Sequence, residues 1–189
     1  MSTFEYLSVF ISIVIGLAVV HVLRGLVHLY DGPDSKPYWI HTGWVLYLIY
    51  WLPYFWWFTL DWQKQQTWIF PLFFVVVLYS MLVYVLCVVL VPLREISSQD
   101  MEAYYFTNHR KLFSIWTVVL LVDVADAFLK GPENVEALGP TYIPVTAVFI
   151  LSLVVAAVTP NRRYHAALVV VWLASIGWDM ITYADVFSD

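Results

Sequence analysis

Two carboxylates, Asp123 and Asp126, stand in the apolar run Leu120-Leu-Val-Asp123-Val-Ala-Asp126-Ala-Phe128. At the centre of a membrane-crossing helix each Asp costs about 2.5–3.5 kcal/mol, so the pair costs roughly 5–7 kcal/mol. Carboxylates held in so apolar a setting attract a cation or hold a proton, and intramembrane acids of this kind mark ion and proton paths. A third acid, Asp179, lies on a polar stripe with Ser175 and Thr182 at i, i+4 and i+7 in another apolar run. In the first run His21, Arg24 and His28 recur at helical spacing. At about 1.5 Å of rise per residue, Asp123, Asp126 and Asp179 fall roughly 3, 7 and 5 Å to one side of the midplanes of their runs. His21 and Arg24 fall roughly 6 and 10 Å to the other side. The pattern predicts an ion or proton pathway with an acidic site in one half and a His21/His28 exit in the other, Arg24 setting the local field.

The elements that must position these groups are membrane spans. The chain of 189 residues is 62% hydrophobic and 12% charged, with mean hydropathy +0.77. Soluble domains are nearer half apolar and a quarter charged, so the expected solvent is lipid. Six apolar runs approach the ~20 residues needed to cross a bilayer. They lie at 4–30, 38–60, 68–91, 112–130, 142–158 and 164–187. Turn clusters separate them at Asp31-Gly-Pro-Asp-Ser-Lys-Pro37, Gly131-Pro132 and Thr159-Pro-Asn-Arg-Arg163. Pro71 and Pro144 suit the first turns of helices. The expected fold is therefore all-α: one membrane domain, 1–189, built as a six-helix bundle. Lys36, Arg94, Arg110, Lys111, Arg162 and Arg163 share one side and Lys64 and Lys130 the other. The positive-inside rule then puts both termini outside the cytoplasm, in a multi-pass protein of the cell (inner) membrane.

Between the third and fourth runs, residues 94–111 form the longest connector. Ser97 and Asp100 read as a capping box, and Met101, Tyr104 and Tyr105 as the apolar side of a short interfacial helix leading into the fourth span. Trp51, Trp56, Trp57, Trp62 and Trp68 read as an aromatic belt. Ser12 and Gly16 form a small-xxx-small pattern suited to packing or oligomer contact. Pro53, inside the second run, frees the Ile49 carbonyl near the acids' depth. An echo between Val20-His-Val-Leu-Arg24 and Val122-Asp-Val-Ala-Asp126 covers only five positions and is not continued by the later runs.

Other readings compete. Asp123 could simply accept hydrogen bonds from Tyr79, Ser80 or Tyr84 and tie helices together. His28 and His41 end and begin neighbouring runs, and opposed imidazoles of that kind could hold a b-type haem for electron transfer. Residues 94–111 could anchor a partner protein, making the chain a structural or sensing subunit. Otherwise no cofactor is implied. The expected partners are the bilayer, a cation or proton, and further copies or subunits of a membrane complex. A net charge of −5 argues against nucleic acid. The single cysteine, Cys87, excludes an internal disulfide. No zinc-protease, nucleophile-elbow or phosphate-loop signature is present, so no enzyme is expected.

Overall fold

The computed structural model describes residues 2–30, 36–65, 67–92 and 100–182. The helices are α1 (Thr3–His28), α2 (Trp39–Phe58), α3 (Phe70–Leu90), α4 (Met101–Leu129), α5 (Pro132–Ala137), α6 (Tyr142–Val158) and α7 (Arg162–Thr182). A 3-10 turn, Thr59–Lys64, continues from α2. The protein is thus all-α. Each apolar run becomes one long helix, and α6 has the same bounds as its run.

Three of these helices, α1, α3 and α4, are long and apolar enough to cross a membrane, which points to a membrane location. Helix α6 is apolar but has only 17 residues. Helix α2 is diluted by Trp and Tyr rings, and α7 opens on Arg162-Arg-Tyr-His165. The reason lies in position. Helix α2 is the central element, packed against α1, α3, α4 and α7. Its buried residues include Trp44, Leu48 and Leu52, and the rings of Trp44, Tyr47, Trp51 and Phe55 meet protein rather than solvent. Outer helices show the opposite pattern. Tyr6, Val9, Ile13, Leu17 and Val20 of α1 are exposed, as are Val148, Leu151 and Val158 of α6. Apolar rows of this extent are out of place in water and fit a lipid surround.

Capping explains the starts of α1 and α4. Ser2 and Glu5 form a reciprocal capping box on α1, with Glu5 N donating to Ser2 Oγ at 3.2 Å and Ser2 N to Glu5 Oε2 at 2.9 Å. Pro71 falls in the first turn of α3, as the sequence predicts. The fourth helix departs from expectation. It begins at Met101 rather than near 112, and the separate interfacial helix is its own first turns. Asp100 is the N-cap, its Oδ1 accepting from the amides of Glu102 and Ala103 at 3.0 and 3.2 Å. Ser97, assigned to that cap from sequence, lies outside the described residues.

Close helix contact depends on glycine at Gly43, where a Cβ would lie 2.7 Å from Val169 Cγ2 of α7, and most strongly at Gly25. A Cβ on Gly25 of α1 would overlap Val91 Cγ1 at the end of α3. A Cβ on Gly16 would meet nothing within 4 Å. Gly25→Ala is therefore expected to lower stability by about 1–3 kcal/mol through overpacking. Gly16→Ala should be neutral or slightly stabilising, because it adds helix propensity without a clash. Thermal unfolding of the two variants in the same detergent tests the contrast.

Candidate functional site

On α4, one turn separates two carboxylates that meet different partners. Asp123 accepts from the Tyr79 hydroxyl of α3 at Oδ1, 2.9 Å, and from the Tyr142 hydroxyl of α6 at Oδ2, 3.0 Å. Asp126 accepts from the Trp62 indole N–H at Oδ1, 2.9 Å, and its Oδ2 lies 2.7 Å from the Lys130 ammonium. Both members of that ion pair are buried. Lys130 also donates to the Phe58 carbonyl at 2.9 Å and sits 5.7 Å above the Trp62 ring. Phe58 is the last residue of α2, so a buried cation meets the negative end of that helix. Asp126 is thereby compensated by a full charge, whereas Asp123 is held by two neutral phenols. Among the described residues no Lys, Arg or His pairs with Asp123.

Both acids line a small chamber of about 90 Å³, together with Tyr79, Tyr142, Lys130 and Asp61. At ~30 Å³ per molecule in the liquid, that is room for about three waters or a small cation. The chamber adjoins a wider, open cleft of about 1060 Å³. Tyr54, Phe58, Asp61, Lys130, Asn134 and Leu138 line both spaces. The cleft is walled by the end of α2, the 3-10 turn and α5. Helix α5 is held back against α4 by a sharp reversal at Gly131, whose φ of 104° suits glycine. The Asn134 side-chain amide then donates to the Ala127 carbonyl at 3.0 Å.

At the other end of the bundle the histidines serve helix ends. The last carbonyls of α3 have no partner in their own helix. Val89 O accepts from the Tyr104 hydroxyl at 2.7 Å, Leu90 O from His41 Nε2 at 2.8 Å and Val91 O from His21 Nε2 at 2.8 Å. Because a carbonyl only accepts, each imidazole carries its proton on Nε2. A second chain runs from the Trp44 indole N–H to Tyr105 Oη at 3.1 Å, and from the Tyr105 hydroxyl to His165 Nδ1 at 2.8 Å. His165 Nε2 then donates to the Thr159 carbonyl, at the C-cap of α6, at 2.8 Å. The same acceptor rule fixes the direction of every bond in that chain.

The predicted groups are thus only partly brought together. Asp123 and Asp126 share a chamber. Asp179 falls on α7, but its side chain lies outside the described residues. His21 caps α3, while Arg24 is exposed and donates from Nε to His28 Nε2 at 3.4 Å. None of His21, Arg24 and His28 lines either cavity. His41 is 1% exposed and bonded to Leu90, while His28 is bonded to Arg24, so the two imidazoles face different partners rather than each other. Ser12 accepts from the Trp56 indole at 3.0 Å and so packs on α2, whereas Gly16 faces open space. The aromatic belt needs correction. Trp56 and Trp57 are exposed, but Trp51 and Trp62 are buried, and Trp62 is a ligand of Asp126. Of the three donors proposed for Asp123, Tyr79 supplies the bond, and Ser80 turns back to the Val77 carbonyl. Tyr142, Trp62 and Lys130 were not anticipated. Only Lys130 left a sequence signal, its i+4 spacing from Asp126.

Fold and site together define a class: an all-α protein with helices fit to cross a membrane and a small chamber lined by one buried and one partly buried carboxylate. No protein-family model, curated protein or solved structure matches the chain. The functional reading therefore rests on the geometry.

Proposed function

We propose that this is a six-span membrane protein that binds a cation or proton at Asp123 and carries it, or a small solute with it, across the bilayer. The observation that supports this most is the imbalance inside the chamber. Asp126 has Lys130, whereas Asp123 has two phenol hydroxyls and no cationic partner among the described residues. A carboxylate offers about four lone-pair positions, so two hydroxyls leave it able to accept more. Ionisable groups kept inside a membrane protein are functional by default.

In this reading α2, α6 and α7 also span, sheltered by their neighbours. Arg110, Lys111, Arg162 and Arg163 mark the cytoplasmic face, and Glu102 and Arg162, 2.9 Å apart, tie the starts of α4 and α7 together there. The chamber and cleft open to the opposite side, where both termini lie. His21 and His28 remain the candidate exit groups, and copies of the chain associating in the inner membrane would complete the path.

Flux into proteoliposomes tests the reading. The parent should dissipate an imposed cation or pH gradient. Asp123→Asn removes the charge yet keeps an acceptor for one tyrosine, while the other hydroxyl can turn to accept from the new amide. Losing a hydrogen bond to a charged group costs about 1.5–3 kcal/mol, so flux should fall about tenfold to a hundredfold. A second reading draws on the fact that every oxygen of both acids has a donor, as helix-tying bonds would. It predicts no flux by the parent and an effect of Asp123→Asn on stability alone.

A further inference from the structure

We propose that the ligand of this chamber is an organic ammonium ion, its charged head beside Asp123 and its apolar body in the adjoining cleft. The proposal deepens the cation reading above and rests on it. Around Asp123 the chamber is walled by Trp51, Tyr54, Phe55, Phe58, Tyr79 and Tyr142. Aromatic faces around a cation, with a carboxylate to balance it, are the chemistry that recognises ammonium groups. Metal ions ask for something else, a set of several oxygen or nitrogen ligands. Among the described residues no three His, Cys, Asp or Glu side chains gather to hold one. The Phe58 carbonyl, another oxygen at this site, is already taken by Lys130.

Size and continuity carry the argument further. The chamber, about 90 Å³, takes a head group and little more. The cleft that shares its wall is about 1060 Å³, on the scale of sites that enclose drug-sized molecules. Tyr50, Pro53, Trp57 and Leu60 line it, so it offers apolar and aromatic contact to a body attached to that head. The two spaces together carry four carboxylates, Asp61, Asp123, Asp126 and Glu133, against the two ammonium groups of Lys64 and Lys130. That balance favours a positive guest over a neutral or negative one.

The test is calorimetric titration of the full-length protein in micelles. The probes are methylammonium, hexylammonium, hexanol and sodium. Hexylammonium should bind at least about tenfold tighter than methylammonium, because its chain enters the cleft, and sodium should not displace it. Hexanol should bind more weakly than hexylammonium by a similar factor. Asp123→Asn should weaken hexylammonium about tenfold. Trp57→Ala should weaken hexylammonium but leave methylammonium within about twofold. Equal affinity for the two amines, or displacement by sodium at like concentration, would overturn the ammonium inference and leave the cation reading standing. Hexanol binding as tightly as hexylammonium would also overturn it. Absence of saturable binding by any of the cations would overturn both. Should Asp123→Asn fail to fold, the four probes on the parent protein still decide.

Discussion

Lys130→Met is expected to destabilise the protein by about 3–5 kcal/mol, the cost of leaving one member of a buried ion pair without the other. Met keeps most of the side-chain length but supplies no charge. Asp126 Oδ2 would lose its 2.7 Å ammonium partner in a site where the pair is less than a tenth exposed. The Phe58 carbonyl would lose its 2.9 Å ammonium donor, and the negative end of α2 its cation. The double variant Asp126→Asn/Lys130→Met should recover most of the loss. It removes the orphaned charge and keeps an acceptor for the Trp62 indole. Buried pairs replaced together by uncharged groups are often near neutral, which makes the recovery diagnostic. Unfolding by dodecyl sulfate titration of parent, single and double variants gives all three values. A single variant as stable as the parent would mean that Asp126 is not held by Lys130.

Trp44→Ala is expected to cost about 3–5 kcal/mol, the range for emptying a fully buried large aromatic. The Trp44 side chain is 0% exposed at the middle of the bundle. Its ring meets those of Trp116 at 4.9 Å and of Phe113 and Trp172 at 5.4 Å, all close to edge-on. These rings belong to α4 and α7, so one side chain of α2 joins three helices. The indole N–H also begins the chain through Tyr105 and His165 to the end of α6. Trp44→Phe separates the two contributions. It keeps a ring but removes the donor, and the missing hydrogen bond accounts for about 0.5–1.5 kcal/mol of its loss. Chemical unfolding of the two variants side by side checks both figures.

Much of the architecture can be read from apolar run length alone. Helix α6 coincides with its run because Thr141 and Thr159 bound a predominantly apolar stretch without a charged residue. Helix α4 was harder. Residues 101–111 look like a surface connector, yet Met101 and Tyr105 are buried against the bundle. Asp100 starts the helix there, before any hydropathy signal begins. The acids were legible because charge inside apolar sequence is rare and costly. Their partners were less so. Tyr142 reaches Asp123 from another helix, and nothing local to either residue announces the contact. Trp62 looked like one more interfacial aromatic until the fold turned it inward onto Asp126. The histidines' partners were hidden for a similar reason. His21, His41 and His165 each meet a carbonyl at a helix end that only the packed bundle brings within reach, whereas His28 meets Arg24 on its own helix.

The most direct measurement is the reaction of Leu138→Cys with water-soluble thiol reagents of opposite charge, in sealed vesicles of known orientation. Leu138 lines both the chamber and the cleft, and the native Cys87 is fully buried, so the parent protein serves as the blank. A cationic reagent should react faster than an anionic one by about tenfold, as expected where charge focuses ions into a cleft. It should do so from one face of the membrane only, and Asp123→Asn should narrow the gap. Equal rates for the two reagents, unchanged by Asp123→Asn, would contradict a cation site at Asp123.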